Sequence, residues 1–296
     1  MLVYTILSAT VFIAIPGIAH AWGPCTHVEI AFSLLEKIAL MAPAIRAIIA
    51  GREEWFVYGS IAADTVVGKK FAGPLHHCHS WKVAESLLKE AKTDRERAAA
   101  YGYLSHLAAD IVAHNYYIPC KIIESYKARL ISHTYWEMRF DMHVSQGVWD
   151  KMTLMIAGDF SPFDRLLERV LKHALFSFRT SKTIFSGILL LQKFKQLRRT
   201  FTIYAKSSRF RLDTKEVLQY RRLAFDAALE YLSNPGGARC LNGDPTGDRK
   251  IEYAKRLRRE INRLRLRRRI SRDKIKEIIA SAKEELGVCS YSLQKR

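Results

Sequence analysis

Apolar residues recur three and four apart through most of the 296-residue chain, and alternation of period two is nearly absent. Ala31, Leu34, Leu35 and Ile38 make one such stripe, and Val83, Ala84, Leu87 and Leu88 another. Side chains spaced in this way share a face only on a helix, so the expected fold class is all-α, a multi-helix bundle. Helices are expected near 26–40, 53–64, 80–92, 95–118, 122–148, 161–177, 183–199, 214–232, 250–269 and 271–286. With 49% hydrophobic residues, 15 Gly and 8 Pro, the chain is neither disordered nor collagen-like, and five cysteines are too few to replace a packed core.

The run from Asn234-Pro235-Gly236-Gly237 to Asp248 concentrates helix breakers. It divides the expected organisation into a main helical domain over 22–233, a linker over 234–248 and a basic helical extension over 249–296. Charge divides the chain as well. From Trp22 to Asp150 there are 14 Lys+Arg against 14 Asp+Glu, and from Lys151 onward 34 against 15, so the whole excess of +19 lies in the second half. A neutral half suited to chemistry is thus joined to a flank that attracts polyanions, either nucleic acid or an anionic lipid surface. The last segment carries Arg256, Arg258, Arg259, Arg263, Arg265, Arg267, Arg268 and Arg269, interleaved with Leu257, Ile261 and Leu264 at helical spacing. Such a helix can pack by its apolar stripe while its arginines face outward, either as a solvated basic face or as a phosphate-contacting surface. No internal repeat and no Gly-rich phosphate loop is visible.

Residues 1–21 read as an export signal, with an uncleaved anchor or a buried helix as the alternative: Leu2 to Ile18 are apolar and uncharged, Pro16 interrupts them, and Ala19-His20-Ala21 supplies a small-x-small cleavage pattern. Removal after Ala21 leaves Trp22 first, and the protein is expected to be periplasmic or secreted. In an oxidising compartment the odd set Cys25, Cys78, Cys120, Cys240 and Cys289 leaves at least one cysteine outside any pairing within the chain. Cys25 and Cys78 lie within two residues of His27 and His79, where a disulfide, a thiolate ligand and a small buried side chain are all open readings.

The chemistry is concentrated in Ser105-His106-Leu107-Ala108-Ala109-Asp110-Ile111-Val112-Ala113-His114. Steps of four on a helix advance about 40° and 6 Å, so His106, Asp110 and His114 form one stripe about 12 Å long. Their neighbours are apolar, and burying two imidazoles with a carboxylate is costly unless they are paired or bind metal. Further on, His133 and Glu137 stand one turn apart, and facing helices can enclose ions between such stripes. Earlier candidates are His27, Asp64 and the group His76-His77-Cys78-His79. Imidazole with carboxylate suits zinc. His143 and His173 lack a carboxylate at such spacing and read as ordinary packed or exposed residues.

In this order the residues resemble the zinc-dependent phospholipase C family, which is related in fold to single-strand-specific zinc nucleases and to the catalytic domain of glycosylphosphatidylinositol-specific phospholipase D. The family pattern is an N-terminal Trp, His, Asp, His, then His-x3-Asp, His, and finally His-x3-Glu. Trp22, His27, Asp64, His79, His106, Asp110, His114, His133 and Glu137 follow it, and the resemblance covers roughly 22–150. It implies three zinc ions: the first held by Asp64, His79, His106 and Asp110, the second by His114, His133 and Glu137, the third by His27, Asp110 and the amino and carbonyl groups of Trp22. Asp110 would bridge two ions, and the α-amine of Trp22 becomes a ligand only once the leader is removed. The three residues between Asp110 and His114 match the phospholipase D relatives and not the longer spacer of Bacillus-type members. His76, His77 and His79 all stand near the upstream ligand's place, and His79-Ser80-Trp81 best matches related sequences.

The expected activity is therefore that of an exported zinc-dependent phosphodiesterase, a phospholipase C-type hydrolase using a zinc-bound hydroxide, with Asp64 orienting the water or accepting its proton. Its partner would be a phospholipid or membrane surface; Ile184 to Leu191, flanked by Lys193, Lys195, Arg198 and Arg199, is an apolar run that could lie in an interface or pack as a core helix. Two alternatives use the same residues: a single-strand-specific nuclease drawn to its substrate by the basic half, and a non-catalytic zinc- or polyanion-binding protein.

Overall fold

The structure, a computed structural model, describes residues 22–65, 77–127, 133–171, 182–183 and 212–287. The expected leader over 1–21, His76, His173, the 184–199 run and Cys289 lie outside the described residues, as does the side chain of His133. Among the described residues there are helices and no strand. In chain order they are α1 (Pro24–Glu36), α2 (Pro43–Ile49), α3 (Glu53–Thr65), α4 (Trp81–Glu90), α5 (Asp94–Val112), α6 (Ile118–Glu124), α7 (His133–Asp141), α8 (Gln146–Ile156), α9 (Ser161–Val170), α10 (Thr214–Ser233), α11 (Asp248–Leu266) and α12 (Arg272–Glu285).

The centre of the fold is α5. Its start is fixed by a capping box, in which Thr93 Oγ1 accepts the Glu96 N–H at 3.2 Å and Glu96 Oε2 accepts the Thr93 N–H at 2.9 Å. From Ala98 to Val112 nearly every side chain is buried, because α3, α4 and α10 cover it on different sides. The crossing with α3 is backbone against backbone. A Cβ on Gly59 would fall 1.9 Å from the Ala99 carbonyl oxygen, and a Cβ on Gly102 would fall 1.9 Å from that of Phe56. Two glycines facing in this reciprocal way bring α3 and α5 close enough that side chains one or two turns further on converge in a single pocket.

Three differences from the sequence expectation stand out. The helix expected over 95–118 ends as an α-helix at Val112, passes through a π-turn over Ala113–Tyr117 and resumes as α6 through Glu124. Pro119 has no N–H to return to the preceding turn, and the wider turn next to it accommodates that loss without ending the helix. The single helix expected over 122–148 is broken: α6 closes at Ser125, α7 ends at Asp141, and turn bonds from His143 and Val144 to Phe140 and Asp141 precede α8. The apolar spacing marks neither α2 nor α8 as a separate helix, α8 because the stripe expected over 122–148 runs through Ser145, which stands at its start. Elsewhere the periodicity locates α3, α10 and α12 to within one residue at each end and α11 to within three.

The C-terminal helices pack by narrow apolar stripes. Ile251, Ala254 and Ile261 of α11 and Ile275 and Ala282 of α12 are buried, while Arg256, Arg259, Arg263, Arg267, Arg268 and Arg269 are exposed. Asn262 donates from Nδ2 to the Tyr126 carbonyl, and Lys283 pairs with Glu124, which is also 2.8 Å from the buried ammonium of Lys121. The breaker-rich stretch ahead of α11 holds a 3-10 turn (Arg239–Asn242) and the left-handed Gly247, and it lies directly over the π-turn of the central helix.

Candidate metal centre

Asp110 lies on the last turn of α5 with no exposed surface, and three imidazoles surround its carboxylate. Its Oδ1 is 3.2 Å from His27 Nε2, contributed by α1. Its Oδ2 is 3.2 Å from His106 Nε2, one turn back on α5, and 3.2 Å from His79 Nε2, from the segment before α4. Asp64, at the end of α3, adds a second carboxylate: its Oδ1 is 3.3 Å from His79 Nε2 and 3.9 Å from His106 Nε2. The His27 and His106 rings stack with centroids 3.8 Å apart. Five residues from four stretches of chain thus meet in one buried cluster, and all five come from the sequence-derived set.

The proton inventory of the cluster decides what it can do. His106 Nδ1 stands 2.8 Å from the Ser60 carbonyl oxygen. A carbonyl can only accept, so Nδ1 carries the proton and the Nε2 lone pair is turned toward Asp110, Asp64 and His79 Nε2, the last at 3.2 Å. A second proton on His106 would serve just one of these neighbours. Neither Asp110 oxygen, nor His27 Nε2, makes a contact of hydrogen-bond geometry, although the groups stand at ion-pair distance. Burial, with His106 beside it, lowers the pKa of His27. Burial alone would raise Asp110, but His106 and His27 outweigh it and hold that carboxyl well below the usual carboxylate range. Imidazole nitrogens and carboxylate oxygens turned toward one another in a buried pocket are a donor set suited to a divalent metal. His27, His106 and Asp110 each offer a donor atom within 4.8 Å of the others, as do Asp64, His79 and His106.

His79, not His77, points into the cluster: His77 Nδ1 accepts the His79 backbone N–H at 3.1 Å, and its ring is only partly buried. Cys78 Sγ lies 3.2 Å from His79 Nδ1, and the Tyr103 hydroxyl donates to the Cys78 carbonyl, fixing the segment from below. Cys78 Sγ and the rings of His77 and His79 also come within 4.8 Å of one another. Cys25 turns the other way, with its thiol 3.5 Å from Met152 Sδ, so no disulfide joins it to Cys78.

The second group is arranged around the π-turn. His114 is buried, its ring centroid 6.3 Å from that of His79, and its Nδ1 donates to the Pro245 carbonyl, so its Nε2 is likewise left with a lone pair. Asn115 Nδ2 donates to the Asp244 carbonyl at 2.8 Å, Trp81 Nε1 donates to the Gly243 carbonyl at 3.0 Å, and a Cβ on Gly247 would fall 2.5 Å from that of His114. Glu137 is buried on α7, whose first residue is His133. Trp22 is wholly buried: its ring stacks on Tyr117 at 5.0 Å and tilts against Phe140 at 4.0 Å, and its indole N–H donates to the Ala109 carbonyl, next to Asp110, at 3.2 Å. The expected stripe of His106, Asp110 and His114 is therefore split, with the first two in the five-residue cluster and His114 on the wider turn beyond it.

Sequence reasoning missed the groups that hold these side chains. The Ser60 and Pro245 carbonyls carry no side-chain signal. Asp141 does: it follows Glu137 at one helical turn, and it is described below.

Fold and site together define an all-helical protein whose central helix presents a buried imidazole–carboxylate centre suited to a divalent metal. The family model for zinc dependent phospholipase C matches residues 26–175, half of the chain, and the protein belongs to that family. No curated protein and no solved structure matches the chain. The matched span includes every candidate ligand except Trp22; the Pro245 carbonyl also lies beyond it.

Proposed function

We propose that the protein is an exported phospholipase C-type phosphodiesterase with a three-zinc centre, acting on phospholipids. Asp64, His79, His106 and Asp110 are assigned to one ion, His114, His133 and Glu137 to another, and His27, Asp110 and the Trp22 main chain to a third. The observation that carries this reading is the division of labour at Asp110, where one oxygen faces His27 and the other faces His79 and His106. A carboxylate placed in this way would be shared by two cations, His27 helping to hold one and His79 and His106 the other.

When bound, zinc at such a site lowers the pKa of water and polarises a phosphoryl oxygen. The chain supplies the rest. Ser60 and Pro245 fix the tautomers of His106 and His114, so their Nε2 lone pairs are presented without a proton having to leave. Asp64, beside His79 and His106, is the carboxylate assigned to orient the attacking water and accept its proton. The apolar walls of α5 exclude competing water and strengthen each charge contact. The leader over 1–21 supports export, and among the described residues no helix is long and apolar enough to cross a membrane.

The test is a parallel assay of protein beginning at Trp22 on phosphatidylcholine vesicles and on single-stranded DNA. Release of diacylglycerol, lost by about 10²-fold or more in Asp64→Asn, is the expected result. Rapid DNA hydrolysis without lipid turnover would transfer the site to a nuclease, and stoichiometric zinc with neither activity would leave a metal-binding protein only.

A further inference from the structure

Helix α1 begins without a cap of its own. Gly23 has no side chain to offer, and Pro24 at the first helical position has no N–H, so the N–H groups of Cys25 and Thr26 are the first that need acceptors. Both find them on Asp141, the last residue of α7 and 115 or more residues distant in sequence. Oδ1 accepts the Thr26 N–H at 2.9 Å and the Thr26 hydroxyl at 2.5 Å, and Oδ2 accepts the Cys25 N–H at 3.2 Å. These are the second and third positions of the helix, the ones an N-cap side chain ordinarily serves. The carboxylate is buried and sits where the partial positive charge of the α1 terminus favours an anion. The fit requires glycine at the entry: a Cβ on Gly23 would lie 2.0 Å from Asp141 Oδ2.

The residues on either side of this cap are candidate ligands. Trp22, just before it, leans on Phe140, the neighbour of Asp141, and bonds to the carbonyl preceding Asp110. His27, just after it, faces Asp110 Oδ1. One helical turn before Asp141 is Glu137. We propose that Asp141 is a positioning residue of the metal centre: it caps α1 from α7 and so holds Trp22 and His27 in register with Asp110. This rests on the three-zinc reading above. The hydrogen bonds of the Asp141 carboxylate go to Cys25 and Thr26; it acts through the first turn of α1. Without it the Thr26 hydroxyl and the Cys25 N–H lose these bonds and the Thr26 N–H is left to the Gly23 carbonyl at 3.0 Å, that turn loosens, and the His27 side of Asp110 opens while the His79–His106 side, built on α3, α4 and α5, stays.

The experiment compares protein beginning at Trp22 with its Asp141→Ala, Asp141→Asn and Thr26→Val variants. It measures zinc per chain by elemental analysis after dialysis against a fixed weak chelator, together with kcat and KM on a soluble short-chain phosphodiester. Asp141→Ala should retain fewer zinc ions per chain than the parent, losing the ion on the His27 side, with kcat down about tenfold or more and KM little changed. Asp141→Asn, which keeps one acceptor oxygen, should recover most of both, and Thr26→Val should weaken retention of the same ion to a smaller degree. A merely structural role would lower the melting temperature and leave the zinc count at the parent's value; that result in Asp141→Ala would overturn the proposal. If Asp141→Ala does not fold, unchanged zinc retention in Thr26→Val overturns it instead. A parent protein holding no zinc would refute the metal-centre reading itself, an outcome distinct from either.

Discussion

His106 and Asp141 have opposite histories in the sequence. The histidine is conspicuous, four residues from Asp110 in an apolar helix, yet its tautomer depends on the Ser60 carbonyl 46 residues away, which no pattern of side chains announces. The aspartate is one of many and becomes important only because α7 meets the start of α1. Burial pushes its carboxyl up to about 7 against the opposing bonds from Thr26 and Cys25. A carboxyl raised above its unfolded value of about 3.9 stabilises the fold below that pH, and the contribution is lost as pH rises toward 7. The melting temperature of metal-free protein should therefore exceed that of Asp141→Asn by more at pH 5 than at pH 8, and a difference independent of pH would contradict the assignment. The cysteines give a second residue-scale prediction. Burial raises Cys120 to about 11 and Cys240 to about 12, so both remain thiols at neutral pH. Iodoacetamide at pH 8 should label them at least about 100-fold more slowly in native than in unfolded protein, as peptide mapping would show.

Among elements, the α3–α5 crossing does most to assemble the site. Gly59 and Gly102 let two backbones touch, and Asp64 and His106 lie five and four residues beyond them. Alanine at either position forces the helices apart. We expect Gly59→Ala and Gly102→Ala each to cost about 1–3 kcal/mol or more, read as a melting-temperature drop of several degrees, and to weaken zinc retention, because Asp64 and His106 no longer share a pocket. Unaltered stability and zinc content in both variants would contradict this packing. The periodicity made α3 and α5 legible, since both are long stripes with defined starts. It could not distinguish an α-turn from a π-turn, so the sequence alone kept His106, Asp110 and His114 in one row. The apolar spacing also ran through the turn at Met142–Ser145, where backbone bonds and not hydrophobicity end the helix.

For the molecule as a whole, the unequal charge of the two halves was plain from composition, whereas their contact was not. The Asn234–Asp248 stretch reads as a breaker-rich connection, and the same glycines and proline allow it to lie over His114 and to supply a carbonyl to it. The metal centre and the packing of distant segments are consequently coupled. Removing zinc leaves facing lone pairs and carboxylates buried together, so chelation should lower the melting temperature by several degrees or more, with recovery on adding zinc back in proportion to its concentration over the dissociation constant. The identity of the ions and their places are tested most directly by anomalous diffraction at the zinc edge from crystals of protein beginning at Trp22. The account predicts zinc peaks on both sides of Asp110, one toward His27 and one between Asp64, His79 and His106; a map with no peak beside Asp110 would contradict it.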